Sequence, residues 1–272
     1  HHPIWFTGIK RLTGDNYVSR IIVKAIKEGV ALYACHTNLD NVQEGVNRKI
    51  GERMGIEKMR ILSTKRDQLL KLVFYGHADE LAILSDAVFA AGARDLRSTE
   101  AGRQGRVECI VPNYRKGAVL AALRSVNPHQ PPVFHLLPTL DSDVETGSGM
   151  IGKLPAPMTK SEFLTMVKEK FGCGGIRYAD AGVETIERVA WCGGAGSFLI
   201  SNAISAGADA FVTGDITYHK FFDNEGRILL LDIGHFESEQ FTSNLLHSYL
   251  SETFPTFAVR LSRIVTNPVK YC

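Results

Sequence analysis

Three segments far apart in this 272-residue chain carry imidazoles and carboxylates in metal-ligand spacing. The chain begins His1-His2, continues to His36-Thr37-Asn38-Leu39-Asp40, and near its end reads His235-Phe236-Glu237-Ser238-Glu239. Each His-x3-carboxylate pair puts its two side chains one helical turn apart, on one face, if the segment coils there. Imidazole and carboxylate donors drawn from three distant segments suit a borderline divalent cation. A fold that uses them has to bring the two ends of the chain to one place.

The chain is long enough to bury a sizeable core and to form two domains. Its hydrophobic fraction of 44% and charged fraction of 22% are ordinary for a globular protein. A net charge of +2 gives no basic stripe, which argues against a nucleic-acid partner. No apolar run reaches roughly 18 residues, so no membrane span is expected. No basic stretch precedes an apolar segment as in a secretory signal. Five cysteines without a C-x-x-C pair suit a reducing, cytoplasmic setting better than a disulfide framework. The chain opens on His1-His2 without a Met, and two readings stand. The pair is either the remnant of an expression tag or native. His1-His2-Pro3-Ile4-Trp5-Phe6 runs straight into apolar sequence without a linker, which favours native histidines with a further strand upstream.

Two short apolar runs end just before the histidine clusters. Ala31–Ala34 precedes His36 and Ile228–Ile233 precedes His235; both read as buried parallel strands. Both clusters would then sit beyond the carboxyl ends of strands, where open α/β sheets place ligands. Residues 15–28 read as a helix with Val18, Ile21, Ile22 and Ala25 on one face. Residues 238–254 read as one helix through Phe241, Leu245, Leu246, Tyr249 and Leu250, with Glu239 in its first turn. In the middle, strand-like 71–75, 106–111 and 132–136 alternate with helical 78–91 and 114–124. That order fits a small ferredoxin-like α+β unit. Residues 94–104 read as too polar and short for its second strand, so the unit looks trimmed. Residues 67–140 are accordingly expected as an insert in a discontinuous α/β core, 1–66 with 141–272. The core resumes after Pro155-Ala156-Pro157. A capping box, Thr159 with Glu162, opens helix 160–171. Strand 186–191, a glycine turn, helix 198–206 and strand 210–212 follow.

Several segments together resemble the Nif-three-like family, whose members are called GTP cyclohydrolase 1 type 2 homologues. They are His1-His2-Pro3-Ile4-Trp5-Phe6, Tyr33-Ala34-Cys35-His36-Thr37-Asn38-Leu39-Asp40 with Gly45-Val46-Asn47, and Cys192-Gly193-Gly194-Ala195-Gly196-Ser197. Val212-Thr213-Gly214-Asp215-Ile216-Thr217-Tyr218-His219 and Asp232-Ile233-Gly234-His235-Phe236-Glu237-Ser238-Glu239 complete the set. The insert is similar to the PII/CutA-like domain of longer members, at Val111-Pro112 and Asn127-Pro128-His129. The resemblance implies two related α/β halves around a dinuclear metal site, commonly in toroidal homohexamers with the sites facing the inner cavity. It implies metal ligation by His1, His2, Asp40, His235 and Glu239, with Glu239 bridging. His36 would ligate or support the ligands. The family pattern also has an N-terminal segment that does not precede His1 here.

Two ions about 3.5–4 Å apart can lower the pKa of one shared water toward neutrality. A mixed His/carboxylate shell suits Zn, Fe or Mn. The competing reading is a metal that only holds the fold, though such sites favour closed, cysteine-rich shells. Asp215 and His219 follow a strand end; they either orient ligands and exchange protons or are a helix cap and a surface histidine. The Gly193-Gly194-Ala195-Gly196 turn either cradles a phosphate or permits tight helix–strand packing. Cys35 and Cys192 read as packing residues. The resulting functional reading is a dinuclear metal-dependent hydrolase of a nucleotide-like or other small molecule. The alternative is a non-enzymatic metal-binding scaffold or regulator, with the PII-like insert as its sensor.

Overall fold

The computed structural model describes residues 1–6, 8–101, 103–127 and 129–272. Helices α1 (Tyr17–Lys27), α2 (Thr37–Asp40) and α3 (Val46–Met54) precede strand β1 (Glu57–Lys65). Strand β2 (Leu69–His77), helix α4 (Ala78–Ala90), strands β3 (Arg94–Ala101) and β4 (Gln104–Pro112), helix α5 (Lys116–Ser125) and strand β5 (Phe134–Pro138) follow. Then come strand β6 (Asp143–Thr159), helix α6 (Lys160–Phe171), and strands β7 (Arg177–Ala179) and β8 (Thr185–Ala195). Helix α7 (Ile200–Ser205), strands β9 (Ala210–Gly214) and β10 (Leu229–Asp232), and helices α8 (His235–Glu239) and α9 (Thr242–Thr253) complete the chain. No helix of the described residues is long and apolar enough to cross a membrane. The architecture is mixed α/β with two sheets, and the chain forms two compact units: 1–63 with 148–272, and 64–147.

The first unit holds the sheet β1-β6-β8-β9-β10-β7. Strands β8, β9 and β10 run parallel, with Trp191 opposite Val212 and Val212 opposite Leu231. Both faces of these strands are covered, so successive residues enter two different cores. Val189, Trp191, Ala210, Val212, Leu229 and Leu231 pack with α3 and α6. Ala190, Cys192, Phe211 and Leu230 pack with α7 on the other side. That is why these strands read as unbroken apolar runs. Helix α6 has the expected capping box: Thr159 accepts from the Glu162 amide, and Glu162 accepts from the Thr159 amide.

The second unit holds the antiparallel sheet β3-β4-β2-β5, with α4 and α5 on one face. Leu72, Phe74, Val107, Cys109 and Val111 form its buried face, with Leu81, Leu84, Val88, Val119 and Leu123 from the helices.

Five expectations need correction. Residues 31–34 form no strand: Leu32 and Tyr33 are exposed, and the nearby backbone bond to the chain's start comes from the His36 amide, which donates to the His1 carbonyl. Apolar content without a ladder partner does not make a strand. Residues 94–101 do form one. Among the described residues β3 is an edge strand that pairs with β4 alone and carries a register shift between Arg94 and Arg97, and edges tolerate polar sequence. Residues 192–195 continue β8 and are not a free turn. Pro155-Ala156-Pro157 is not a break before the core resumes, because β6 runs from Asp143 to Thr159 and absorbs these residues at a register shift. The helix expected over 238–254 is broken between Glu239 and Thr242. There Gln240 donates to the Phe171 carbonyl (2.8 Å) and the Phe241 ring meets Phe171 edge-on at 5.9 Å. Strands β1 and β7 were not anticipated. Of the turn Asn127-Pro128-His129, Pro128 lies outside the described residues.

Phe163 is fully buried between α6 and the sheet. Phe163→Ala should therefore cost about 3–5 kcal/mol in chemical denaturation, against about 1 kcal/mol for Thr159→Ala, which removes only the cap. Equal losses would contradict this account of α6.

Candidate metal centre

The carboxyl ends of β8, β9 and β10 lie side by side and build one floor. β10 ends at Asp232, and the chain turns through Gly234 (φ 93) directly into α8. Asp232 fixes this turn. Its carboxylate accepts from the Gly234 amide (3.1 Å) and the Ile216 amide (3.0 Å), and it pairs with Arg177 on the neighbouring strand. Ser238 joins α8 to β8: its hydroxyl accepts from the Gly194 amide at 2.9 Å and donates to the His235 carbonyl at 2.8 Å. Thr213 closes the floor by donating to the Gly194 carbonyl and accepting from the Gly196 amide.

On that floor His235 and Glu239 stand one turn apart on α8, with Nε2 of His235 at 3.2 Å from Oε2 of Glu239. The same Glu239 oxygen lies 3.3 Å from Nε2 of His2 and 4.0 Å from Nε2 of His1. His1 Nε2 is 3.1 Å from Oδ1 of Asp40, at the end of α2. Nε2 of His2 and Nε2 of His235 approach to 3.1 Å. His1, His2 and Glu239 each offer a ligand atom within 4.8 Å of the others.

Their surroundings leave these atoms unsatisfied. Nδ1 and Nε2 of His1, Oδ1 of Asp40 and Oε2 of Glu239 are buried, yet none has a hydrogen bond of acceptable direction among the described residues. Buried polar atoms without partners are costly and rare. The two imidazole nitrogens at 3.1 Å face each other, where at most one can donate. Two nitrogens on one tetrahedral ion, each about 2.05 Å away, would be about 3.3 Å apart. The donor set therefore fits a borderline divalent cation.

Gly194 makes the approach possible. It has φ +62, and a Cβ there would lie 2.5 Å from Oε1 of Glu239 and 3.1 Å from Nε2 of His235. Without a side chain at Gly194, the glycine segment leaves room for His235 and Glu239. Asn47 sets the opposite wall. Buried in α3, it donates to the Asp40 carbonyl and accepts from the Gly193 amide, both at 2.9 Å, while its carbonyl accepts from the Trp191 indole at 2.6 Å. One side chain therefore ties the Asp40 segment to β8.

Asp215 follows β9 in a left-handed conformation (φ 53), and its Oδ2 lies 2.6 Å from Nδ1 of His235. That contact places a proton on Nδ1 and turns Nε2 toward Glu239 and His2. Glu239 beside Nε2, and then Asp215, raise the His235 pKa to about 9 against the effect of burial. Burial opposes the charge on His1, but Asp40 and Glu239 outweigh it and the pKa rises. Burial, joined by the neighbouring histidines, lowers that of His2. His36, also with positive φ (36), borders the cluster: its ring meets those of His2 and Phe6 at 5.3 Å and that of His1 at 5.9 Å. His219 is not brought in. It is exposed on the three-ten segment Tyr218–Asn224, edge-on to Tyr218. Cys192 is buried, and burial pushes its thiol up to about 12, so it is no thiolate nucleophile. The parts missed in the sequence are Asn47 as a wall, Ser238 as a clamp and the Asp232–Arg177 pair. The one visible hint was a lone Asp closing an otherwise apolar run.

Two predictions arise from this geometry. Gly194→Ala should destabilise the protein by about 1–3 kcal/mol in denaturant melts, since it adds left-handed strain and a collision with Glu239. The metal-free protein should lose stability as pH rises from about 6.5 to about 9. The His235 pKa is raised on folding, so its contribution is complete below the unfolded value and vanishes through the folded one. Melting temperatures of wild type and Asp215→Asn across this range would check it: the variant, which keeps Glu239 but loses Asp215, should show a shallower fall, and a wild-type curve no steeper than the variant's would contradict it.

The chain can now be set beside known proteins. A "GTP cyclohydrolase 1 type 2 homolog" of Staphylococcus epidermidis is 29% identical over 304 aligned residues, covering 100% of this chain and 82% of the relative. A protein of the same description from Halalkalibacterium halodurans is 31% identical over 252 residues, covering 80% of this chain and 67% of the relative. The crystal structure of a Bacillus cereus protein related to NIF3 superposes with a TM-score of 0.86 at 26% identity, over 100% of this chain and 82% of that one. The profile of the Duf34/NIF3 (NGG1p interacting factor 3) family matches residues 1–268, so the chain belongs to that family.

Proposed function

We propose that this protein binds two divalent metal ions per chain, Zn, Fe or Mn, and uses them to hydrolyse a nucleotide-like or other small molecule. The observation that carries the reading is the convergence of buried, unpartnered donor atoms from His1, Asp40 and Glu239 beside the facing nitrogens of His2 and His235. In this reading His1 with Asp40 and His2 with His235 form two donor pairs that share Glu239. Bound there, such ions would acidify a water and stabilise developing negative charge. The protein's own part is positional. Asp215 holds the His235 tautomer, Ser238 and Asp232 hold α8 to the strand ends, and Asn47 holds the Asp40 segment. The open side lies toward His2 and His235, whose side chains are 42% and 35% exposed, and there a substrate can enter. His36 stands at the rim as a support for the histidine pair. The cyclohydrolase wording belongs to the relatives' names, and the chemistry proposed is hydrolysis in general.

A second reading is a non-enzymatic metal-binding scaffold or regulator. It draws on residues 64–147, whose β-α-β-β-α-β order and antiparallel sheet suit a ferredoxin-like, PII/CutA-like sensing insert. Assembly as a toroidal homohexamer is proposed with either reading and is testable by light scattering.

Elemental mass spectrometry on wild type and Glu239→Ala decides the metal question. About two equivalents per chain should fall sharply in the variant, since it removes the shared ligand. Metal absent from wild type, or unchanged by the substitution, would sink the assignment. A metal-loaded protein that leaves nucleotides, phosphoesters and cyclic amides intact would favour the scaffold.

A further inference from the structure

A cleft of about 590 Å³ opens between β7 and the three-ten segment Tyr218–Asn224, within the unit that carries the metal ligands. Tyr178, Tyr218 and Phe222 line it, and all three are at least half exposed, at 50%, 71% and 65%. Three large aromatic faces around one concavity are an unusual expenditure of apolar surface. Tyr218 and Phe222 hold each other edge-to-face at 5.5 Å, so the wall is ordered by its own packing. The volume lies in the range of small-molecule sites.

The polar groups indicate what chemistry would fit. The Arg177 guanidinium is already engaged by Asp232 and the Ile216 carbonyl, and it lies over the Phe221 ring at 5.6 Å. Asp180 is paired with Lys160 at 2.8 Å. Glu225 is exposed at the cleft, and no salt bridge engages it among the described residues. An uncommitted carboxylate beside aromatic faces repels an anion and accepts from N–H groups. It suits a flat ring bearing amino or imino donors.

The cleft also lies close along the chain to the metal centre. Tyr218 is three residues beyond Asp215, so their Cα atoms are at most about 11 Å apart. Asp215 itself contacts His235. Arg177, on the cleft wall, is bonded to Asp232 at the strand end from which α8 springs.

We propose that this cleft is the subsite for the base of a nucleoside or nucleotide, an amino-substituted nitrogen heterocycle stacked on Tyr178, Tyr218 and Phe222 with its donor edge on Glu225. The rest of the ligand extends toward His235 and Glu239. The inference rests on the hydrolase reading for its substrate but not for its binding energy, which the aromatic faces supply without metal.

The test is isothermal titration of guanosine and inosine into the whole chain, metal-loaded and chelated, with metal content and mass by light scattering measured alongside. Guanosine should bind both forms of the wild type. Tyr218→Ala with Phe222→Ala should weaken it about tenfold or more with metal content unchanged. Glu225→Gln should erase the preference for guanosine over inosine, which lacks the exocyclic amino group. Failure of guanosine to bind a metal-replete wild type overturns the subsite and leaves the metal centre standing. Guanosine binding in a chain that takes up no metal overturns the hydrolase reading and leaves the subsite standing. Unchanged affinity in the aromatic double variant, or a change only in its oligomeric mass, overturns the subsite and makes these rings an interface between copies.

Discussion

A carboxylate and three imidazoles can crowd together on the end of a parallel sheet only where the floor beneath them is bare. Gly194 provides that floor, in a left-handed conformation that a side chain would strain and with no room for a Cβ beneath Glu239. The constraint then propagates. The bare segment has to stay in register with β9 up to Trp191 and rejoin it at Ala195, so β8 bulges there. Its amides need partners, and Ser238, Asn47 and Thr213 supply them from α8, α3 and β9. Three separate elements are thus fastened to the same few residues of backbone, and each brings the donor atoms near it into place.

The electrostatics of this arrangement are unfavourable on their own. Glu239 is nearly buried and shares its surroundings with Asp40, while three histidines compete to be charged. Charges buried without full partners cost more than their mutual attraction returns. The fold answers part of this by setting His235 beside Glu239 and Asp215, which raise its pKa against the effect of burial. It leaves His1, Asp40 and Glu239 with unpaired lone pairs or protons. Natural interiors rarely keep such a deficit without a compensating ligand. The same low-dielectric pocket that penalises these groups would strengthen binding of a cation.

The ligand grammar and much of the core were legible in the sequence for one reason: both depend on local periodicity. His235 and Glu239 sit one helical turn apart because α8 is a helix, and the run 228–233 is apolar because both faces of β10 are covered. The capping box of α6 was visible for the same reason. What could not be read depends on partners distant in sequence. Residues 31–34 look like a strand but lack a ladder, whereas 94–101 look like a loop but gain one from β4. Asn47 resembles any helix residue until Gly193, 146 positions away, donates to it. His219 follows the same strand end as Asp215, yet the three-ten segment carries it to the surface.

The sheet order also bears on where function can reside. Residues 64–147 depart from β1 and return on β6, which are neighbours at one edge of the six-stranded sheet. An excursion that leaves and re-enters on adjacent strands leaves the remaining ladder order intact, and closing such a loop costs free energy that grows only slowly with its length. Every candidate ligand lies outside that excursion, on segments anchored to β8, β9 and β10 or reaching them from α2 and the first residues. Changes within residues 64–147 therefore alter no donor atom of the candidate centre. Substitutions at Gly194, Asn47 or Ser238 have no such freedom, because each holds two elements of the centre at once.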